Sequence, residues 1–137
     1  MRRRTNRLAG PAGAGTFSVL YNFDGTSGGN PYGALLESGG KFYGTLAAGG
    51  NNSEGVLYEF DPAGAGTFTP LHHFESATGR FPNGGVVKVN GKFYGTAADG
   101  GDFNGGVVFE FDPAGPTYTV IRHLKHEDGV SPQCDLF

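Results

Sequence analysis

The chain predicts an all-β fold: tandem four-stranded antiparallel blades of about 51 residues, forming a partial β-propeller of about 2.5 blades. Three observations carry this expectation. The stretch Lys41-Phe42-Tyr43-Gly44-Thr45 returns as Lys92-Phe93-Tyr94-Gly95-Thr96, an offset of 51 residues. At the same offset Pro62-Ala63-Gly64-Ala65-Gly66-Thr67-Phe68 repeats residues 11–17, and Gly106-Val107-Val108-Phe109-Glu110-Phe111-Asp112 repeats residues 55–61. Finally, 26 glycines mark turns, while 12 Phe and 6 Tyr supply apolar surface that a disordered Gly-rich chain lacks.

The repeat divides the 137 residues into a unit at 11–61, a second at 62–112 and an incomplete third at 113–137, shortened by one residue. Pro31, Pro82 and Pro132 mark the same point in each, eight residues after Phe23, Phe74 and Leu124. Residues 1–10 hold Arg2, Arg3, Arg4 and Arg7 and are expected to form a basic, unstructured tail. No apolar run of signal-peptide length follows it, and no stretch approaches a membrane span, so membrane insertion is not expected.

Within a unit, residues 17–23 come first as a strand, with Phe17, Val19, Tyr21 and Phe23 alternating at period two. Their copies are residues 68–74 and 118–124. Residues 34–37 and 85–89 make the second strand, and the Phe-Tyr-Gly-Thr stretch makes the third. Ser38-Gly39-Gly40 and Asn90-Gly91 separate them at hairpin length. Residues 55–61 and 106–112 make the fourth, with Val56, Tyr58 and Phe60 on one face and Leu57 and Glu59 on the other. Four strands in about 50 residues is the size of a kelch-class blade; a β-sandwich needs no equal units, and a β-solenoid repeats over fewer residues. The third unit stops inside its second strand. That arrangement is expected either to belong to a longer product or to offer exposed blade edges for self-association.

The order Lys-Phe-Tyr-Gly-Thr, Ala-x-Gly-Gly, a variable loop, then Gly-Val-x-(Tyr/Phe)-x-Phe resembles the GloVer (Gloeobacter/Verrucomicrobia-type) tandem repeat over nearly all of residues 11–137. Leu46 and Ala97 stand where that repeat carries a second Thr, and Val56 and Val107 follow Gly55 and Gly106 with no Thr between. The resemblance implies a β-propeller-like array in extracytoplasmic bacterial proteins, with no established catalytic residues to carry over.

The body of the chain, without its first ten residues, carries six basic and thirteen acidic side chains, which argues against nucleic acid as a partner. Cys134, the single cysteine, has no intrachain disulfide partner. His72 and His73 are strand neighbours on opposite faces, and His73 and His123 are repeat-equivalent with Asn22; a packing or rim role is expected, and no metal site. Asp99-Gly100-Gly101-Asp102-Phe103-Asn104 does not have EF-hand spacing, so no calcium or other cofactor is expected. Glu59 and Glu110 are expected on a solvated strand face, and no catalytic residue is assigned.

The two copies differ most in the loops after the Phe-Tyr-Gly-Thr strand. Asn51, Asn52 and Glu54 in the first loop, with Asp99, Asp102 and Asn104 in the second, are the candidate binding residues. The expected function is a non-enzymatic module of a bacterial surface or secreted protein, binding a protein or a glycan through these loops. The alternative is a fragment of a propeller enzyme, or of a metal-dependent propeller, whose site is completed by other blades.

Overall fold

A computed structural model describes residues 15–136. The expected basic tail, residues 1–10, lies outside the described residues. Eight strands form two four-stranded antiparallel sheets: β1 (Leu36–Ser38), β2 (Lys41–Leu46), β3 (Val56–Asp61) and β4 (Thr67–His73), then β5 (Val87–Val89), β6 (Lys92–Ala97), β7 (Val107–Asp112) and β8 (Thr117–His123). Neighbours in sequence are neighbours in each sheet. The all-β expectation holds, apart from one 3₁₀ turn at His126–Asp128. Among the described residues the two sheets do not close into a ring.

Turn chemistry sets the hairpins. Gly39 and Gly40 have φ of 63° and 82°, and Asn90 and Gly91 have 50° and 82°. Two successive positive φ values give the two-residue turn whose twist matches that of the strands it joins. Ser38 therefore pairs with Lys41, and Val89 with Lys92. Farther out, Gly44 lies opposite Tyr58 and Gly95 opposite Phe109, so each bulky ring lies over a position without a side chain. Pro70 is tolerated in β4 because β4 is the outermost strand and Pro70 sits at a break in register opposite Tyr58.

The expected strand over residues 17–23 is not formed, which corrects the sequence reading. Its copies β4 and β8 are each the outer partner of the strand before them, β3 and β7. The stretch equivalent to β3, one repeat earlier, falls on residues 5–10, outside the described residues, so residues 17–23 carry no ladder here. Consequently each sheet draws three strands from one repeat unit and its fourth from the next. The second strand of the first unit runs Leu36–Ser38 rather than 34–37, and that of the second unit is the C-terminal part of the expected 85–89, Val87–Val89. Residues 34 and 85 instead abut at the inner edge of the sheets, where Gly85 has no room for a Cβ against Ala34.

The sheets stack face to face. Leu57 from the first sheet is buried with Phe93, Val107, Phe109 and Phe111 of the second and with Phe74 and Val86 from the segment between the sheets, and Leu36 and Tyr43 pack against them. A second cluster of Leu46, Val56, Tyr58 and Phe60 lies on the far face of the first sheet, against Phe23, Phe42 and Phe68. The alternation expected along residues 55–61 is thus present, because the pleat sends Leu57 into one core and its two neighbours into the other.

Candidate functional site

The loops after β2 and β6 share one backbone. Gly49, Gly50, Ser53 and Gly55 have φ of 79°, 82°, 60° and 114°; Gly100, Gly101, Asn104 and Gly106 have 80°, 80°, 53° and 97°. In each, two amides turn back inside the loop, Ser53 to Gly50 O and Gly55 to Gly49 O, then Asn104 to Gly101 O and Gly106 to Gly100 O. Glycine is demanded at Gly50 and Gly101 by contact as well as by φ: a Cβ at Gly50 would lie 2.6 Å from Val56, and one at Gly101 2.7 Å from Val107.

Two histidines hold these loops. The Asn51 amide donates to His73 Nδ1 at 3.0 Å, and the Asp102 amide donates to His123 Nδ1 at 2.9 Å. The rim role expected for the repeat-equivalent pair thus has a specific content: each ring accepts a loop amide, which fixes that ring's Nδ1 as unprotonated in this arrangement. The Asn52 side chain adds a bond to the Phe74 carbonyl at 3.1 Å. His72 behaves differently. Its ring is packed between the sheets, and burial, helped by neighbouring His73, pushes its pKa down to about 4.

Of the six candidate binding residues, the structure brings Glu54 and Asp99 together through Arg80. Arg80 Nη1 donates to Glu54 Oε1 at 3.0 Å, while its Nε and Nη2 donate to Asp99 Oδ2 at 3.2 and 2.9 Å. Ser76 Oγ donates to Glu54 Oε1 at 2.6 Å, and the Gly100 amide donates to Asp99 Oδ1 at 2.8 Å. Both carboxyls are held below their ordinary range, Glu54 chiefly by Ser76 and Asp99 chiefly by the Gly100 amide, with Arg80 acting on each. Asn51, Asn52, Asp102 and Asn104 remain exposed, as does Phe103.

Sequence reasoning missed Arg80. Its signal was present, since Arg80 stands where the first unit has Gly29, and Asp99 stands where it has Ala48. The two substitutions change together across one β-bridge, Gly29 with Ala48 and Arg80 with Asp99. Phe103 was also passed over, because an aromatic in a loop shows its exposure only in three dimensions.

Glu59 and Glu110 depart from the solvated face expected for them. Tyr43 Oη donates to Glu59 Oε2 at 2.9 Å and Lys41 Nζ to Oε1 at 3.2 Å; Tyr94 and Lys92 do the same for Glu110 at 2.8 and 3.4 Å. The first triad sits on the sheet face that packs toward the second sheet, and burial beside Glu59 lifts the Tyr43 hydroxyl to about 12. No cluster of three or more metal-ligating side chains converges among the described residues.

At the inner edge the matched residues 32–34, 83–85 and 133–135 meet: Tyr32, Gly33 and Ala34 share a cavity of about 520 Å³ with Asn83 and with Gln133, Cys134 and Asp135, and Gly84 and Gly85 lie against Cys134 and Ala34. The Gly85 amide donates to the Asp135 carboxylate there, and Cys134 is a free, exposed thiol. Three copies of one segment thus face one another, while the described residues form two sheets.

No curated protein and no solved structure matches the chain. The family model described as the Gloeobacter/Verrucomicrobia repeat matches residues 9–137. Nearly the whole chain is covered, and the period, the turn glycines and the strand order all recur in space, so this protein belongs to the Gloeobacter/Verrucomicrobia repeat family.

Proposed function

We propose that the chain is a non-enzymatic, β-propeller-like recognition module of a bacterial surface or secreted protein, and that it binds a glycan through the loops after β2 and β6. One observation carries this reading: two loops with the same backbone, each fixed by a histidine acceptor, hold out different side chains. A rigid frame with variable tips is how binding loops are commonly presented. The exposed tips combine amides and a carboxylate at Asn51, Asn52, Asp102 and Asn104 with the ring of Phe103. Polar groups for hydroxyls beside an apolar ring for a sugar face suit a carbohydrate better than a flat protein surface. The extracytoplasmic setting rests on the family resemblance. No helix among the described residues is long and apolar enough to cross a membrane.

The test is a glycan array and a cell-wall polysaccharide pull-down with the full chain, alongside Asp102→Ala and Phe103→Ala variants. Binding that both variants lose while keeping the wild-type unfolding curve supports the reading. Binding to neither class, or binding that the variants leave intact, overturns it; capture of proteins alone moves the assignment to a protein ligand.

A further inference from the structure

Residues 17–23 rest on the first sheet as β4 rests on the second, although they have no backbone ladder among the described residues. Tyr21 stacks on Phe68 with ring centroids 4.9 Å apart and 12° between planes; the repeat-equivalent pair, His72 on Tyr118, stands at 3.7 Å and 4°. Phe23 meets Tyr58 edge-on at 5.5 Å and 64°, and its copy Phe74 meets Phe109 at 5.3 Å and 66°. These side chains hold the seat of an outermost strand whose inner neighbours are not among the described residues.

The junction between the two sheets shows what such an inner neighbour contributes. There Leu57 of β3 is fully buried in one cluster with Phe74, Val86, Phe93, Phe109 and Phe111. The same five positions one repeat earlier are Phe23, Leu35, Phe42, Tyr58 and Phe60, and they line an apolar cavity of about 390 Å³. This cavity is the counterpart of the space that Leu57 fills. Around it Phe17, Val19, Leu20 and Leu35 are each more than half exposed. The residue 51 positions before Leu57 is Asn6, a polar residue outside the described part of the chain.

We propose that this face is a docking site for an extended segment from a further copy of the repeat, with the pattern of β3 and β7, Gly-Val-aliphatic-aromatic-Glu-Phe-Asp. The segment adds antiparallel to residues 17–23 and seats its aliphatic side chain in the cavity. Strand addition draws affinity from main-chain bonds and specificity from alternate side chains, and both are available here. The pairs Phe60 with Phe68, Tyr58 with Pro70 and Val56 with His73 supply the register. Shifted by one repeat, the incoming Phe lies opposite Phe17, the incoming aromatic opposite Val19 and the incoming Val opposite Asn22. This surface is separate from the loops assigned to glycan binding.

The experiment titrates a synthetic peptide of residues 106–115 into the full chain, followed by calorimetry and backbone amide NMR. The expected result is saturable one-to-one binding, with exchange protection gained at the amides of residues 17–23. A peptide carrying Val108→Lys, or a chain carrying Leu35→Arg, binds at least about tenfold more weakly, because a charge cannot be left unpaired in the cavity. Leu35 is exposed, so its replacement leaves the core intact, which the unfolding curve of the variant verifies. Absence of binding, equal binding of the lysine peptide, or amide changes confined to other strands overturns the proposal.

Discussion

His72 lies flat on Tyr118, with ring centroids 3.7 Å apart and planes within 4° of parallel, and so joins the outer strand of one sheet to the outer strand of the next. Its Nε2 is buried without a hydrogen-bond partner among the described residues, while Tyr118 Oη donates to the Thr78 carbonyl at 2.8 Å. The stack therefore requires a neutral imidazole, since a second ring proton would have nowhere to go.

From this follows a pH dependence of stability. The folded-state pKa of His72 is lowered from 6.5 to about 4, so between those values the unfolded chain binds a proton that the folded chain does not. This contribution is complete above pH 6.5 and is lost as pH falls toward 4, on the order of 2 kcal/mol after allowance for solvent. Urea unfolding at pH 7.5 and pH 4.5 measures it, and His72→Phe is expected to flatten the difference.

Arg80 is the tie between the two loops, and Arg80→Met keeps its stem while removing its charge. The expected outcome is a lower denaturant midpoint and faster amide exchange at residues 99–104, with the deficit shrinking in about 1 M salt, where exposed ion pairs are screened. Equal exchange in variant and wild type would remove Arg80 from the account of loop rigidity.

Gly44 and Gly95 are repeat-equivalent but face different neighbours. A Cβ at Gly95 would lie 2.7 Å from Phe109, which is fully buried, whereas one at Gly44 would lie 2.8 Å from the Tyr58 hydroxyl and 3.1 Å from exposed Leu35. Gly95→Ala is expected to cost about 1–3 kcal/mol by overpacking, and Gly44→Ala less, because its tightest contact is the terminal hydroxyl of Tyr58, whose ring can tilt toward space that exposed Leu35 vacates. Paired chemical denaturation curves decide the order.

Thr45 and Thr96 form a similar contrast. Thr45 Oγ1 donates to the Gly84 carbonyl at 2.6 Å across the sheet junction, while the buried Thr96 hydroxyl has no partner among the described residues. Thr45→Val is expected to lose about 1 kcal/mol, and Thr96→Val to be neutral or stabilising, since it removes an unpaired buried hydroxyl. Thermal unfolding of the two variants gives opposite signs or nearly so.

The sequence by itself determined the local structure of this protein: the period of 51 residues, the hairpins at Gly39-Gly40 and Asn90-Gly91, and the opposite facing of Phe42 and Tyr43. These follow from φ preferences and from the alternation of a pleated strand, which act within a few residues. It also located the loops that differ between copies, with all six candidate residues in them. Only the tertiary structure decided where one sheet ends and the next begins. A repeat read from residue 17 or from residue 36 has the same periodicity, and the choice depends on which strands pair, a contact between segments distant along the chain. The same holds for Arg80, whose two carboxylates come from 26 residues before it and 19 after it, and for Glu59, whose Tyr43 and Lys41 partners lie on the adjacent strand. Such groups acquire their roles only once nonlocal packing has set the distances between them.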